Sequence, residues 1–180
     1  MVLRRIILFI LSAVILFEGS SFSRQKAQSD AQEYILKAAF LYRFTDYVEG
    51  NNNSEETFNI VVLGDSRITV PLKSLASDKK INNKRIVVKQ YDDINELAGA
   101  CQMLFISKNY TPSLESAVSK INDKPVLIIT EQAGGCSKGA HINFFTSENK
   151  LKFEVNLRSA RRSNLKISSQ LLQHAYIYNN

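Results

Sequence analysis

The sequence predicts an α/β protein built on a single layer of mostly parallel sheet, about six strands, with an antiparallel hairpin near the C-terminal end and helices flanking it. Three observations carry this prediction. Four near-continuous apolar runs, "FNIVVLG", "KRIVVKQY", "QMLFIS" and "PVLIIT", alternate with segments of helical or turn character. Such runs are strands covered on both faces, the condition of a parallel sheet. The rhythm then changes: "AHINFFTSENKLKFEVN" reads as two strands around "SENK", a hairpin. Finally, a broad amphipathic helix precedes the first strand.

Ahead of that helix, Arg4 and Arg5 are followed by an apolar run from Ile6 to Phe17. The run is too short for a bilayer, which needs about 20 residues. Small polar residues follow, with Ser21 and Ser23 placed for a cut before Arg24. Residues 1–23 are therefore read as a secretory signal peptide rather than an uncleaved anchor, and 24–180 as one exported domain. No cysteine stands near the cut to carry a lipid. Loss of Arg4, Arg5 and Glu18 leaves 21 basic and 16 acidic side chains of the original 23 and 17. That balance is too diffuse for a nucleic-acid partner, and nothing in the mature chain calls for stable membrane insertion.

In the first helix, "SDAQEYILKAAFLYRFTDYVE", Asp30 is the expected cap with Glu33 completing a capping box. The expected apolar stripe is Leu36, Phe40, Phe44 and Tyr47, widened by Ile35, Ala38, Ala39 and Tyr42. Glu33 and Lys37 form an i,i+4 pair on another side. "SRITVPLKSLAS" is a short helix limited by Pro71, "INELAG" a helical turn, and "TPSLESAVSKI" a helix capped by Thr111 with Pro112 at its first position. The chain closes with "LRSARRS" and a helix "NLKISSQLLQHAYIY" capped by Ser163 or Asn164 and docked through Ile167, Leu171 and Leu172.

Catalytic constellations are scarce. The two histidines, His141 and His174, match no nucleophile motif, and no cluster has metal-ligand spacing. No catalytic residue, cofactor or metal is expected, and the chain reads as a non-enzyme. Two cysteines in an exported chain invite a disulfide. Cys101 starts the third strand and Cys136 follows the fourth, so parallel pairing puts them at opposite ends of strands about 17–20 Å long. Two free thiols are expected, Cys101 buried and Cys136 in a loop. Gly64, Asp65, Ser66 and Arg67 follow the first strand, where open α/β sheets bind ligands; they are a candidate small-ligand pocket, although no phosphate-loop motif accompanies them. "AGGCSKG" precedes a strand, lacks a helix N-terminus, and reads as a flexible exposed loop.

Arg158, Arg161, Arg162 and Lys166 fall within nine residues, and no Asp or Glu follows Glu154. Three readings stand: a solvated helix face, a structural pairing with a distant carboxylate such as Asp46 or Asp65, and a surface that meets an acidic partner.

Taken in order, "KAAFLYRFTDYVE", "FNIVVLGDS", "CQMLFIS", "PVLIIT" and "HINFFTSENKLKFEVNLRSARRSNLKISSQLL" resemble the YfiR-like (HmsC-related) exported proteins from Tyr34 to Leu172. The last block is the most specific, following F-E-I-N-L-x-A-A-R-R-x-G-L-K-I-S-S-x-L-L nearly residue for residue. Ser159 and Asn164 stand where that pattern has Ala and Gly; Gly50 and Asn51 stand where an aromatic residue and Pro are usual; and the extra cysteines of the best-known member are missing. The resemblance implies a non-enzymatic periplasmic regulator that binds the exported sensor domain of a membrane-bound diguanylate cyclase and represses it, so controlling cyclic di-GMP and biofilm formation. It also implies an α/β fold and a homodimer. Other members accompany sensor histidine kinases, which keeps a second class in view: a periplasmic small-ligand-binding protein acting with such a kinase.

Overall fold

A computed structural model describes residues 28–51, 54–97, 101–121 and 124–179. The expected signal peptide lies outside them. Helix α1 (residues 28–44) leads into β1 (Val48–Glu49), β2 (Thr57–Leu63), α2 (Thr69–Asp78), β3 (Lys80–Ile81) and β4 (Lys84–Tyr91). A 3-10 turn (Ile94–Glu96) follows, then β5 (Met103–Ile106), α3 (Leu114–Ile121), β6 (Leu127–Thr130), β7 (Ile142–Ser147) and β8 (Lys150–Val155). The chain finishes with α4 (Leu157–Arg162), β9 (Lys166–Ile167), α5 (Ser169–Leu172) and β10 (Tyr176–Ile177).

The main sheet has eight strands in the order β10-β8-β7-β6-β5-β2-β4-β3. Strands β4, β2, β5, β6 and β7 are mutually parallel; β7 and β8 form the antiparallel hairpin. The expected class holds, with more strands than the six expected. The additions, β3 and β10, are two residues each, too short to show any periodicity. Asn82 and Asn83, both at positive φ, turn β3 into β4, as Glu148 and Asn149 turn β7 into β8.

Alternation along the central strands builds two cores. Ile60, Val62, Met103, Phe105, Leu127 and Ile129 face α1 and α2, while Val61, Leu63, Leu104, Ile106 and Ile128 face α3. Phe40 and Phe44 of α1 pack on Phe144 and Phe153 of the hairpin, with centroids 5.1 Å apart for Phe44 and Phe153.

Three local expectations are corrected. Helix α1 is already formed at residue 28, so Asp30 lies inside it and pairs with Arg67 at 3.2 Å instead of capping. Its buried face is Tyr34, Lys37, Ala38, Leu41 and Phe44, whereas Ile35 and Leu36 are exposed. Helix α3 starts at Leu114, and the Ser113 hydroxyl, not Thr111, accepts from Ser116 N. The long final helix does not form. Asn164, at φ +57°, ends α4 in the left-handed conformation that a Gly or Asn residue tolerates best. Asn164 N–H donates to Arg161 O and Leu165 N–H to Ala160 O, the paired bonds of a Schellman motif. Asn164 thus closes one helix rather than opening the next. Lys166 and Ile167 pair with Glu49 and Val48, and Ser168 caps the short α5. Leu171 is buried, while Ile167 and Leu172 are half-buried.

Candidate functional site: an arginine groove beside the glycine-rich loop

Helix α4 divides its residues sharply. Ser159 and Ala160 are buried, and so is Ser163 at its C-cap, while Arg158, Arg161 and Arg162 are exposed. Small inward residues let the helix press against the loop 131–140. Asn156 caps it, accepting from Ser159 N at 2.9 Å while its amide donates to Cys136 O at 2.9 Å. The Ser159 hydroxyl donates to Gly139 O at 2.6 Å. Ser159 stands where the family pattern has Ala, and here it adds a bond that alanine cannot make. From beneath, His141 Nε2 lies 3.1 Å from Ser163 Oγ.

The loop is therefore packed rather than free, contrary to the sequence reading: Gly135 and Cys136 are buried. A Cβ on Gly135 would stand 2.3 Å from Thr130 Cγ2 and 2.8 Å from Asn143 Oδ1, so any side chain there forces those two to move. The outer faces of loop and helix enclose a groove of about 590 Å³, closed on its third side by Ile177, Tyr178 and Asn179. That third wall is held by Tyr178 N–H donating to Val155 O at 2.9 Å.

Three of the four expected cations, Arg158, Arg161 and Arg162, line this groove together. Lys166 does not; with Arg161 it borders a smaller hollow of about 220 Å³ on the other side of α4. Among the described ion pairs none involves these four residues. Asp46, considered above as a partner, takes Arg43 at 3.0 Å. Among the described residues no acidic side chain lines the groove. Glu154, on the strand leading to α4, accepts from Asn143 Nδ2 at 2.9 Å.

The strand-end residues lie elsewhere. Gly64, at φ +81°, backs onto Tyr110, where a Cβ would approach within 3.1 Å. Asp65 O accepts from the Ser107 hydroxyl at 2.6 Å and from Asn109 Nδ2. Ser66 Oγ accepts from Ile68 N. Of the four, Arg67 reaches a groove, the apolar one between α1 and α2. Of a buried ion cluster at this end of the sheet, the sequence reading found the Glu33–Lys37 pair and missed Glu131 and Tyr34. Lys37 Nζ lies 2.5 Å from Glu131 Oε2 and 2.6 Å from Glu33 Oε1, with the Tyr34 hydroxyl donating to Glu131 Oε1. Burial, then the Glu131 charge, drives the Tyr34 hydroxyl pKa well above its usual range.

Neither cysteine is paired, and both are buried. Strands β5 and β6 are parallel neighbours, so Cys101 and Cys136 sit at opposite ends of that pair. Burial pushes the Cys101 thiol up to about 11. Burial, and then the charge of Glu154, raises Cys136 as well. Both are protonated at neutral pH and poor nucleophiles. His141 is neutral too, lowered to about 4 by burial and then by Arg162. Among the described residues no three His, Cys, Asp or Glu side chains converge on a metal position. No helix there is long and apolar enough to cross a membrane.

The geometry defines an exposed cationic groove: three arginines on a clamped helix, beside the buried, protonated Cys136 thiol and the neutral His141 imidazole. The chain belongs to the YfiR/HmsC-like family (DUF4154), whose pattern matches residues 34–176. That family is one of periplasmic regulators of cyclic di-GMP signalling and is not known as enzymatic. No curated protein sequence matches the chain. In fold it is similar to a crystal structure of a conserved domain protein from Vibrio cholerae O1 biovar eltor str. N16961, with TM-score 0.56 and 10% identity. The match covers 81% of this chain and 60% of that one, and at this identity it speaks to the fold alone.

Proposed function

We propose that this chain is an exported periplasmic regulator, freed of its signal peptide, that binds the sensor domain of a membrane-bound signalling enzyme of the diguanylate cyclase type and holds it down. The observation that carries the reading is the exposed triad Arg158, Arg161 and Arg162, unpaired by any described carboxylate and mounted on a helix clamped by Asn156, Ser159 and Ser163. Guanidinium groups on a helix held in this way suit bidentate contacts with acidic side chains. Folding does not call for them, because their side chains point away from both cores. Charge reversal at each arginine is expected to leave the melting temperature near wild type and to abolish sensor-domain capture, with cyclic di-GMP rising in cells. Capture by the wild type should weaken as salt is raised. Variants that unfold, or that bind as well as wild type, would refute the reading.

A homodimer belongs to the same proposal. Ile35 and Val70 are 59% and 75% exposed beside the apolar groove between α1 and α2. That groove's rim carries Arg67 and Lys79 with Asp78, and Asp30 stands beside Arg67. A two-fold contact can set such opposite charges against each other. Sedimentation is expected to show a dimer that Val70→Asp dissociates; a monomeric wild type at high micromolar concentration removes this part.

A further inference from the structure

The arginine groove is concave, and its size of about 590 Å³ falls within the range of small-molecule sites. Three guanidinium groups on one short helix repel one another, a cost that an anion seated among them removes. Leu157 and Ile177 supply apolar walls, while Ser137, Tyr178 and Asn179 add polar groups at the rim. The helix that carries them is fixed, bonded to Cys136 O, Gly139 O and His141, so the three arginines start from set backbone positions. With the helix already held, only the side chains need ordering when a small ligand binds. A flat patch would serve a protein partner equally well, so the concavity itself speaks for a ligand that enters it.

We infer that this groove is a binding site for a small polyanion carrying two or more carboxylate or phosphate groups, held by Arg158, Arg161 and Arg162. Its occupancy displaces the acidic surface of the partner, so the ligand controls the regulator. The displacement rests on the partner reading above; the binding site does not.

The test is calorimetric titration of the exported chain with citrate and, separately, pyrophosphate, at constant ionic strength with chloride as control. One saturable site is expected, favouring either the carboxylate or the phosphate probe and so naming the ligand chemistry. Affinity should fall at least tenfold in Arg161→Gln and in the double variant Arg158→Gln, Arg162→Gln. It should be unchanged in Lys108→Gln, which removes an exposed cation at the far end of β5. Absence of saturable heat above chloride overturns the site, as does equal weakening in Lys108→Gln, which would mean diffuse screening. In a second arm the sensor domain is captured on the chain and the better probe is added. Release supports ligand control, and retention with the probe bound overturns the displacement. Probe binding by a chain that never captures the sensor domain supports the site while sinking the partner reading.

Discussion

Lys37→Ala is expected to lower folding stability by about 3 kcal/mol, near the lower end of what breaking a buried ion pair costs. The Lys37 side chain is 5% exposed and the Glu131 carboxylate it meets is 3% exposed. Removing the ammonium leaves that carboxylate in the interior without its counter-charge. The loss stays at the lower end because Glu131 keeps two donors, the Tyr34 hydroxyl at 3.2 Å and Lys108 N–H at 3.5 Å. Lys37 also stands 4.6 Å from the centre of the Tyr34 ring, so the substitution removes a cation–π contact as well. Urea denaturation measures the effect, read from the midpoint with an unchanged slope. Replacing both partners, Lys37→Met with Glu131→Leu, should recover most of the loss, because no buried charge is then stranded and Glu33, 37% exposed, is left to water. A single variant within 0.5 kcal/mol of wild type would show that α1 docks through its aromatic residues alone (a surface-like effect of about that size is the usual limit).

That cluster marks where the sequence misleads. Leu36 and Ile35 look like core and Lys37 like surface, since hydropathy ranks them so. The real inward face, Tyr34, Lys37, Ala38, Leu41 and Phe44, is equally periodic, but it contains a lysine whose partner, Glu131, is 94 residues away. No local rule reveals a pairing at that distance. By contrast the parallel strands were legible because both of their faces are buried, which makes the apolar runs continuous. The hairpin was legible because its turn is local. The last helix was not: "NLKISSQLL" has helical spacing, yet Asn164 closes α4 and Lys166 and Ile167 cross to pair with β1. Glycine in the family pattern at that position was the available signal, since Gly and Asn share the left-handed conformation. The arginine cluster was visible as a run of charge. Its groove was not, because the walls come from Ser137 and Gly139 on one side and Ile177–Asn179 on the other.

Acid is expected to weaken the fold through His141, by roughly 3 kcal/mol between neutral pH and pH about 4. The ring is 1% exposed. Its Nδ1 accepts from Ile128 N–H at 3.0 Å, so that nitrogen is unprotonated in the folded chain. Nε2 therefore carries the proton and donates it to Ser163 Oγ. A second proton would face the Ile128 N–H donor in a dry site, with the Arg162 charge adding repulsion. The folded value is accordingly about 4, against the usual 6.5. Between those values the unfolded chain binds a proton that the folded chain refuses. The stabilisation is thus complete above about 6.5 and is lost as pH falls through about 4. Urea midpoints at pH 7, 5.5 and 4.5 for wild type and His141→Gln test this. Carboxylates titrate in both proteins, so the difference between the two curves isolates the histidine. Wild type should lose more stability than the variant across that range, and parallel curves would rule the effect out. Because the second proton sits on Nδ1 against Ile128 N–H while Nε2–H keeps its bond to Ser163, the same acid step should loosen the contact between β6 and the start of β7 before it frees α4.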